Sequence, residues 1–361
     1  ANEPVLNYAP GSPERAALKA RLASLKASPV EVPLFVGGKE IRTGKTGEHR
    51  APHDHRLHLA TYHQAGPEEV AQAIAAAKKA HPVWARMPWE ARAAIFLKAA
   101  DLLAGPWRQD LNAATMLGQS KNACQAEIDA ACELVDFLRF NAHFMLDLYR
   151  NQPWSPRAAW NKMEYRPLEG FVFAITPFNF TSIIGNLPTA PALMGNTVVW
   201  KPASPAIFSA HFLMKLLTAA GLPDGVINMI PGPGAAIGEI VLRHPDLAGV
   251  HFTGSTPTFQ SIWQTVARHI KGYRNYPRLV GETGGKNFVL AHESADPQEL
   301  ATALLRGAFE YQGQKCSAAS RAYIPDNLWP RVREIMASQL AEIRMGGPED
   351  FTNFINAVID R

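Results

Sequence analysis

The stretch that decides the fold is FVFAITPFNFTSIIGNLPTAPALMGNTVVWKPAS, residues 171–204. Two apolar runs, FVFAIT and NTVVWKP, are rich in β-branched and aromatic residues and have the length of buried strands. The segment between them, NLPTAPALMG, is helix-like. A strand, a helix and a second strand in this order predict two parallel strands joined by a crossover helix.

The same alternation continues toward the C-terminus. Further strands are predicted at GVINMI, GVHFT and RLVGE, residues 225–230, 249–253 and 278–282. Helices are predicted between them, over 206–221, 234–244 and 256–270. Repeated strand and helix predict a parallel sheet with helices on both faces, and ligands of such sheets bind beyond the carboxyl ends of the strands.

The first 150 residues follow a different pattern, which predicts a mainly helical front third. In SPERAALKARLASLKAS, Ser12 is a plausible N-cap and Pro13 occupies the first helical position. Residues 66–104 and 106–150 also predict helices, interrupted at MPW and GPW.

Composition limits the classes of function. With 361 residues, 47% of them hydrophobic and 19% charged, the chain can bury a large core and predicts a soluble protein of about two domains. The net charge of +4 is interspersed, so no basic run indicates nucleic acid or a membrane surface. The longest apolar runs are strand-sized, well short of the roughly 18 residues of a membrane span. Three cysteines cannot form a disulfide framework and indicate a reducing compartment.

Two glycine-containing turns after predicted strands are candidates for binding a dinucleotide phosphate. GPGAAIG, residues 232–238, contains Pro233, and no Asp or Glu ends the strand that follows it, which favours a plain tight turn. In FTGSTPT, Gly254 and Ser255 end a strand just before a helix that starts near Pro257. Free backbone N–H groups and the positive helix end suit a pyrophosphate there, although an ordinary helix cap has the same pattern.

Two charged residues follow strands at the same predicted edge. GETGGKN, residues 281–287, places the carboxylate of Glu282 between glycines at a strand end, a third possible phosphate turn. WKPAS places the ammonium of Lys201 after a strand and before a proline, where an ordinary solvated lysine is the alternative.

Cys316 lies in a polar, glycine-containing stretch, YQGQKCSAAS, residues 311–320. The other cysteines, Cys124 and Cys132, lie eight positions apart on a predicted amphipathic helix and are interpreted as core filler. A free thiol needs a cation, a donor or a helix end to supply thiolate at neutral pH, and Lys315 is adjacent. A thiol nucleophile, a carboxylate and a dinucleotide site together indicate oxidation through a covalent thioester.

Five histidines occur close together in EHRAPHDHRLHLATYH, residues 48–63. A metal site is conceivable, but no partner cluster accompanies them, and the stretch predicts a turn followed by a short strand. We interpret these residues as ordinary surface histidines and expect no metal. They are His49, His53, His55, His58 and His63.

Five motifs resemble, in order and spacing, those of the aldehyde dehydrogenase superfamily. They are TPFNF (176–180), WKPAS (200–204), FTGSTPT (252–258), GETGGKN (281–287) and GQKCSA (313–318). The resemblance implies an α/β fold with a Rossmann-like parallel-sheet cofactor domain and an α/β catalytic domain, with NAD as cofactor. It places the N-terminal helical region and the cofactor domain at 1–280, and the start of an incomplete catalytic domain at 281–361.

The resemblance also implies roles for individual residues. Cys316 is the nucleophile, Asn179 and the backbone N–H of Cys316 form the oxyanion hole, and Glu282 is the general base. Lys201 contacts a ribose of the cofactor, and Thr176 lies near its nicotinamide end. The pyrophosphate site comprises Gly254, Ser255, Thr256, Pro257 and Thr258. This chemistry requires no metal.

Within the superfamily, the chain resembles enzymes that oxidise L-glutamate 5-semialdehyde, in equilibrium with delta-1-pyrroline-5-carboxylate, to L-glutamate in proline catabolism. QAEIDAACELVDFLRFNA and FEYQGQKCSAASRAYIP carry this likeness. It implies that Phe180, Lys315 and Ser317 surround the semialdehyde and its carboxylate. Glu133 is a candidate for the substrate ammonium, with a solvated helix face as the alternative. Oxidation of another semialdehyde is an alternative. Coenzyme A would be a second way to release the thioester, and Glu282 argues for water instead.

Two features depart from the superfamily pattern. Ser204 stands where many NAD-preferring relatives carry a glutamate, which weakens the case against NADP. The relatives also continue beyond residue 361, so we expect either part of a longer chain or a catalytically silent truncated protein that retains the fold. The resemblance further implies a homodimer of the mitochondrial matrix, with the bacterial cytoplasm as the alternative compartment.

Overall fold

A computed structural model describes residues 1–360. The first helix, α1 (Pro13–Ala27), confirms the predicted cap, because the Ser12 hydroxyl accepts a hydrogen bond from the backbone N–H of Arg15 at 3.3 Å. The helices that follow also confirm the predicted breaks at MPW and GPW. They are α2 (Pro67–Arg86), α3 (Trp89–Ala104), α4 (Arg108–Gln119), α5 (Ala123–Ala126) and, after a π-helical turn (Glu127–Glu133), α6 (Leu134–Arg150).

The π-helical turn corrects one prediction about the cysteines. Cys132 is buried, but Cys124 is exposed, so the interpretation of Cys124 as core filler is wrong. The i→i+5 hydrogen bonds of a π turn interrupt the regular α-helical spacing. Positions on either side of it therefore do not keep the faces that a continuous helix would assign to them.

Five strands lie in the front third, which the sequence predicted to be mainly helical. They are β1 (Val30–Val32), β2 (Leu34–Val36), β3 (Lys39–Ile41), β4 (Thr46–Ala51) and β5 (Asp54–His63). Gly37 and Gly38 connect β2 to β3 with φ angles of +58° and +77°. Positive φ at both central residues is what a type I′ hairpin turn requires. The GG pair was thus a hairpin signal in the stretch between the first two predicted helical segments.

The central sheet has seven strands in the order β10-β9-β6-β7-β8-β2-β3. The first five are parallel, as predicted, and the β2–β3 hairpin adds two antiparallel strands at one edge. The predicted strands are β6 (Phe171–Thr176), β7 (Thr197–Pro202), β8 (Ile227–Met229), β9 (Leu247–Thr253) and β10 (Arg278–Glu282). The helices between them are α7 (Thr181–Leu193), α8 (Ile207–Ala220), α9 (Gly234–Val241) and α10 (Thr256–Arg268).

Both faces of this sheet are apolar, as expected of a parallel sheet covered by helices. Val172 and Ala174 of β6 face a core shared with α3, α4, α6, α7 and α8. Phe171 and Phe173 of the same strand face a second core shared with α2, α9 and α10. Alternate side chains of β6 therefore pack against two helical layers, one on each face of the sheet. This confirms the prediction of helices on both faces.

A second, two-stranded parallel sheet lies in the C-terminal part. It consists of β11 (Phe288–Leu290) and β12 (Arg321–Tyr323) and packs with α11 (Pro297–Phe309) and α12 (Trp329–Glu342). Its small core contains Leu300, Leu304 and Val332. Among residues 1–360, no helix is both long enough and apolar enough to cross a membrane.

The histidine-rich segment forms the β4–β5 hairpin of a separate sheet in the order β1-β5-β4. His49 and His63 are buried, so the interpretation of all five as surface histidines is wrong for these two. Successive side chains of a strand point to opposite faces of the sheet, so some residues of the hairpin face the core. Within residues 1–360, no group of three or more potential ligands could hold a metal ion.

The buried imidazole of His49 leads to a prediction about acid stability. Its ring stacks on Phe208 at a centroid distance of 6.1 Å, and burial lowers its pKa from 6.5 to about 4. Between these values the unfolded chain binds more protons than the folded chain, so the free energy of unfolding falls as the pH drops from about 6.5 to about 4. Each unit of pKa difference is worth about 1.4 kcal/mol, which gives about 3 kcal/mol in all.

Urea denaturation of the wild type and of His49→Gln at pH values from 7 to 4 measures this effect. The variant should lose less stability than the wild type over that range. His211, whose pKa burial also lowers to about 4, is present in both proteins and cancels in the difference. Equal losses in the two proteins would contradict a neutral, buried His49.

Candidate active site

The parallel strands bring the predicted site residues to one edge of the sheet. Ile175 of β6 pairs with Lys201 of β7 on one side and with Phe252 of β9 on the other. One position further along, Thr253 of β9 pairs with Glu282 of β10. The next strand in the chain, β7, lies on one side of β6, and the later strand β9 lies on the other side. Such a reversal of strand order opens a crevice at the carboxyl ends of the strands.

The loop after β6 contacts the loop that carries Cys316. The side-chain amide of Asn179 donates a hydrogen bond to the backbone carbonyl of Gln314 at 3.0 Å. The Asn179 Oδ1 atom is buried and has no hydrogen-bond partner among the described residues. Cys316, two residues after Gln314, is half-buried. Asn179 and Cys316 are 137 positions apart in the sequence. The structure places them on two loops that contact each other directly.

The segment after β10 approaches the same thiol loop. A Cβ atom at Gly285 would lie 1.9 Å from the carbonyl oxygen of Cys316, so only glycine fits there. The side-chain amide of Asn287 donates a hydrogen bond to that carbonyl. Glu282, at the end of β10, is exposed. The glycines of GETGG therefore permit a close approach of two backbones and leave the Glu282 carboxylate accessible to water.

The backbone before Cys316 has an unusual conformation that the sequence did not reveal. Tyr311 and Gln312 have φ angles of +49° and +55°, in the left-handed region that non-glycine residues rarely occupy. Tyr311 is fully buried, and its hydroxyl donates a hydrogen bond to the carbonyl of Gln119 at 3.1 Å. Burial of this ring offsets the local strain and fixes where the thiol loop begins.

A cleft of about 620 Å³ opens between α9, α10 and the ends of β6 and β7. Burial lowers the pKa of Lys201, which lines it, and no charged neighbour within residues 1–360 contributes to that shift. One side of helix α10 lines the cleft, from Pro257 and Thr258 in its first turn to Thr265. The Ser255 hydroxyl accepts a hydrogen bond from the Thr258 N–H at 3.3 Å. The ordinary cap that the sequence left open is therefore present, in a helix that also faces the cleft.

The GPGAAIG stretch also lines this cleft, although the sequence favoured a plain turn. Gly234, Ala235 and Gly238, at the start of α9, lie opposite Lys201 and Thr258. The sequence did contain a signal that these residues lie at a binding cleft, because a glycine-rich turn follows a predicted strand and begins a helix. The sequence interpretation gave more weight to Pro233 and to the lack of an acidic residue at the end of the following strand.

The remaining predicted residues lie around the two loops. Thr176 is buried, and its hydroxyl accepts a hydrogen bond from the Trp200 indole at 3.1 Å. Lys315 is paired with Glu310 at 2.8 Å, and Ser317 is exposed. The Ser317 hydroxyl is therefore more accessible to a substrate than the Lys315 ammonium, which already has a carboxylate partner.

Glu133 has a tertiary partner at the start of α7. Its carboxylate accepts a hydrogen bond from the Ser182 hydroxyl at 2.8 Å. Ser182 follows Phe180, whose ring is half-buried, by two positions. Glu133 is exposed, as the solvated-face alternative predicted, and its carboxylate is also bonded to the segment that follows Asn179 and Phe180.

Comparison with known proteins identifies the family. The sequence profile of the aldehyde dehydrogenase family matches residues 41–361. The chain belongs to this family. A delta-1-pyrroline-5-carboxylate dehydrogenase of Agaricus bisporus is 50% identical over the whole chain, which covers 66% of that protein. The mitochondrial delta-1-pyrroline-5-carboxylate dehydrogenase of Bos taurus is 47% identical, and the chain covers 64% of it.

Solved structures agree with the family assignment. The delta-pyrroline-5-carboxylate dehydrogenase of Mycobacterium tuberculosis, in a crystal structure with bound NAD, superposes with a TM-score of 0.98 and 54% identity, over the whole chain and 68% of that protein. The chain thus has the aldehyde dehydrogenase fold over about two thirds of the length of these relatives.

Proposed function

We propose that this protein oxidises L-glutamate 5-semialdehyde to L-glutamate with NAD, through a thioester on Cys316. The observation that carries the proposal is the convergence of three loops, bearing Asn179, Glu282 and Cys316, beside a cleft at one edge of the parallel sheet. Relatives that are about half identical and named delta-1-pyrroline-5-carboxylate dehydrogenase support this substrate.

In the first step, the Cys316 thiolate attacks the aldehyde carbon and forms a tetrahedral thiohemiacetal. The carbonyl oxygen becomes an oxyanion, which the Asn179 amide and the Cys316 backbone N–H stabilise. One N–H of the amide is bonded to the Gln314 carbonyl, and an amide has a second N–H to donate. Such a donor is typically worth about 3 to 4 kcal/mol at the transition state.

The cleft fits a dinucleotide. NAD, when bound, supplies an acceptor for the hydride that leaves the substrate carbon. Lys201 is half-buried and lines the cleft, where its ammonium is suited to donating hydrogen bonds to ribose hydroxyls. The N-terminus of α10 offers a positive helix end and the backbone N–H groups of Ser255 and Thr256 to the pyrophosphate. Gly254, Pro257 and Thr258 shape this turn, because Pro257 has no N–H and the other two donate to the Glu282 carbonyl and to the Ser255 hydroxyl. Thr176, the last residue of β6, would lie near the nicotinamide end of the cofactor, as the family resemblance implies.

In the last step, water releases the acid from the thioester. Loss of hydride has by then turned the thiohemiacetal carbon into the acyl carbon of a thioester. Glu282, exposed at the end of β10, takes a proton from water as the water attacks this carbon. The carbon–sulfur bond breaks, the carboxylic acid leaves, and Cys316 regains its electron pair as thiolate.

Recognition of the amino acid portion of the substrate is assigned to four residues. Phe180 packs against the carbon chain, while Lys315 and Ser317 bind the carboxylate. Glu133 binds the ammonium, and its hydrogen bond with Ser182 orients its carboxylate beside Phe180.

The assembly and location complete the proposal. We assign the protein to the mitochondrial matrix as a homodimer, and the Bos taurus relative, named mitochondrial, supports the compartment. We also propose two domains, 1–280 and 281–361. The chain changes sheet between Glu282, the end of β10, and Phe288, the start of β11, which supports a boundary a few residues after position 280.

NADH formation at 340 nm, measured with the protein in its natural length, tests this function. We expect kcat/KM for pyrroline-5-carboxylate to exceed that for acetaldehyde or hexanal by about 100-fold or more, since buried polar groups reject substrates that leave them unpaired. Equal rates on simple aldehydes would indicate another aldehyde as the substrate. No turnover on any aldehyde, with or without coenzyme A, would indicate a silent protein that retains the fold.

A further inference from the structure

A buried ion pair lies behind the two loops that carry Asn179 and Cys316. Lys121, between α4 and α5, and Asp129, in the π-helical turn, are each 1% exposed. The Lys121 ammonium lies 2.6 Å from the Asp129 carboxylate. Burying two charges is costly unless their remaining hydrogen-bonding capacity is satisfied. The partners of this pair therefore indicate what it holds in place.

Asp129 binds the start of α7. Its two carboxylate oxygens accept hydrogen bonds from the backbone N–H groups of Thr181 and Ser182, both at 2.9 Å. Phe180, at the N-cap position, makes no side-chain cap of its own. Unpaired N–H groups at a helix N-terminus favour an anion. Asp129 thus caps α7 from another element and fixes the turn that immediately precedes it, which includes Asn179.

Lys121 contacts both loops. Its ammonium lies 4.0 Å from the ring centroid of Phe180, next to Asn179, and 4.5 Å from that of Tyr311, in the loop before Cys316. Both distances are within the range of cation–π attraction. The Lys121 charge therefore links the turn that contains Asn179 to the loop that carries Cys316. The direct hydrogen bond from Asn179 to Gln314 is a second link between them.

We propose that Lys121 and Asp129 are positioning residues that hold the Asn179 amide at the place where the oxyanion forms on the Cys316 adduct. The inference rests on the proposed function. Neither side chain touches the reacting atoms, and both act through Asn179 and the thiol loop. A misplacement of about 1 Å in such a site can cost on the order of 100-fold in rate.

Lys121→Met in the natural-length protein removes the charge and keeps an apolar chain of similar length. We expect kcat for pyrroline-5-carboxylate to fall by about 10- to 100-fold, since the oxyanion donor is displaced rather than removed. KM for NAD should remain within about threefold, because the cofactor cleft does not include Lys121. An unchanged kcat would overturn the proposal.

A matched control comes from a second buried ion pair, Arg108 with Glu127, which contacts neither loop. Arg108→Met should lower the melting temperature as Lys121→Met does and leave kcat within about threefold of the wild type. Lys121→Arg, which keeps the charge, should retain kcat within about fivefold. A loss of kcat in Arg108→Met equal to that in Lys121→Met would reduce the role of Lys121 to general stability.

A double-mutant cycle shows whether Lys121 acts through Asn179. In the Asn179→Ala background, where the donor is already absent, Lys121→Met should lower kcat by less than about threefold. Multiplied losses would mean independent action and would overturn the proposal. Should Lys121→Met fail to fold, Lys121→Met combined with Asp129→Asn removes both charges together, and the same cycle is run with that pair.

The wild type separates failure of this inference from failure of the proposed function. If the wild type oxidises pyrroline-5-carboxylate and the losses in the cycle multiply, only the positioning role is wrong. If the wild type oxidises no aldehyde, the proposed function fails and the positioning role falls with it.

Discussion

Replacing Cys316 by alanine is expected to reduce NADH formation from pyrroline-5-carboxylate by about 10⁴-fold or more, because removing a nucleophile leaves only binding and the oxyanion hole. Without the thiol, no thiohemiacetal forms, and hydride transfer has no activated carbon–hydrogen bond to break. The fold should remain intact, since Cys316 lies in a half-buried loop outside the apolar cores.

Steady-state absorbance at 340 nm measures the loss, and circular dichroism checks the fold. Cys124→Ala is the matched control, because Cys124 is an exposed thiol without a proposed role in the reaction. It should keep the turnover of the wild type. Retained turnover in Cys316→Ala, or a comparable loss in Cys124→Ala, would contradict the assignment of Cys316 as nucleophile.

Replacing Glu282 by glutamine should separate the two halves of the reaction. Attack by Cys316 and hydride transfer precede the step that needs the general base, so a rapid burst of about one NADH per active site should still appear. Hydrolysis of the thioester should then slow by about 10²- to 10⁴-fold, the usual value of a positioned base. The enzyme should stall as an acyl-enzyme.

Stopped-flow absorbance measures the burst, and intact mass shows the acyl group on the protein. Glu293→Gln, which neutralises another exposed carboxylate in the C-terminal part, should behave as the wild type. Steady turnover without a stall in Glu282→Gln would remove the general-base role. Absence of both burst and turnover would place Glu282 before hydride transfer.

Most of the parallel sheet was predictable from short stretches of sequence. The apolar runs of β6 and β7 are long enough, and β-branched and aromatic enough, to indicate strands without knowledge of their partners. The three-residue strands β1, β2 and β3 were missed, because so short a segment becomes a strand only when a neighbour supplies its hydrogen bonds. Cys124 was misplaced for a related reason, since no residue pattern announced the π-helical turn.

The sequence by itself determined the order of strands and helices and the residue types that follow each strand. Because parallel strands end at one edge, it also placed Lys201, Gly254 and Glu282 near one another. The tertiary structure alone decided which loops touch there. The Asn179 amide reaches Gln314 across 135 positions of the chain, and Gly285 meets the Cys316 carbonyl.

The buried pair of Lys121 and Asp129 also shows the difference between what the sequence determines and what the tertiary structure decides. In the sequence, both are charged residues within the stretch 106–150 that is predicted to be helical, and solvation is the ordinary expectation for a charged side chain. Only the packing of α7 and of the Tyr311 ring over them removes both from water and makes each the other's partner. The physical reason is that local periodicity records which face of an element is apolar, whereas burial of a charge depends on elements that arrive from elsewhere in the chain.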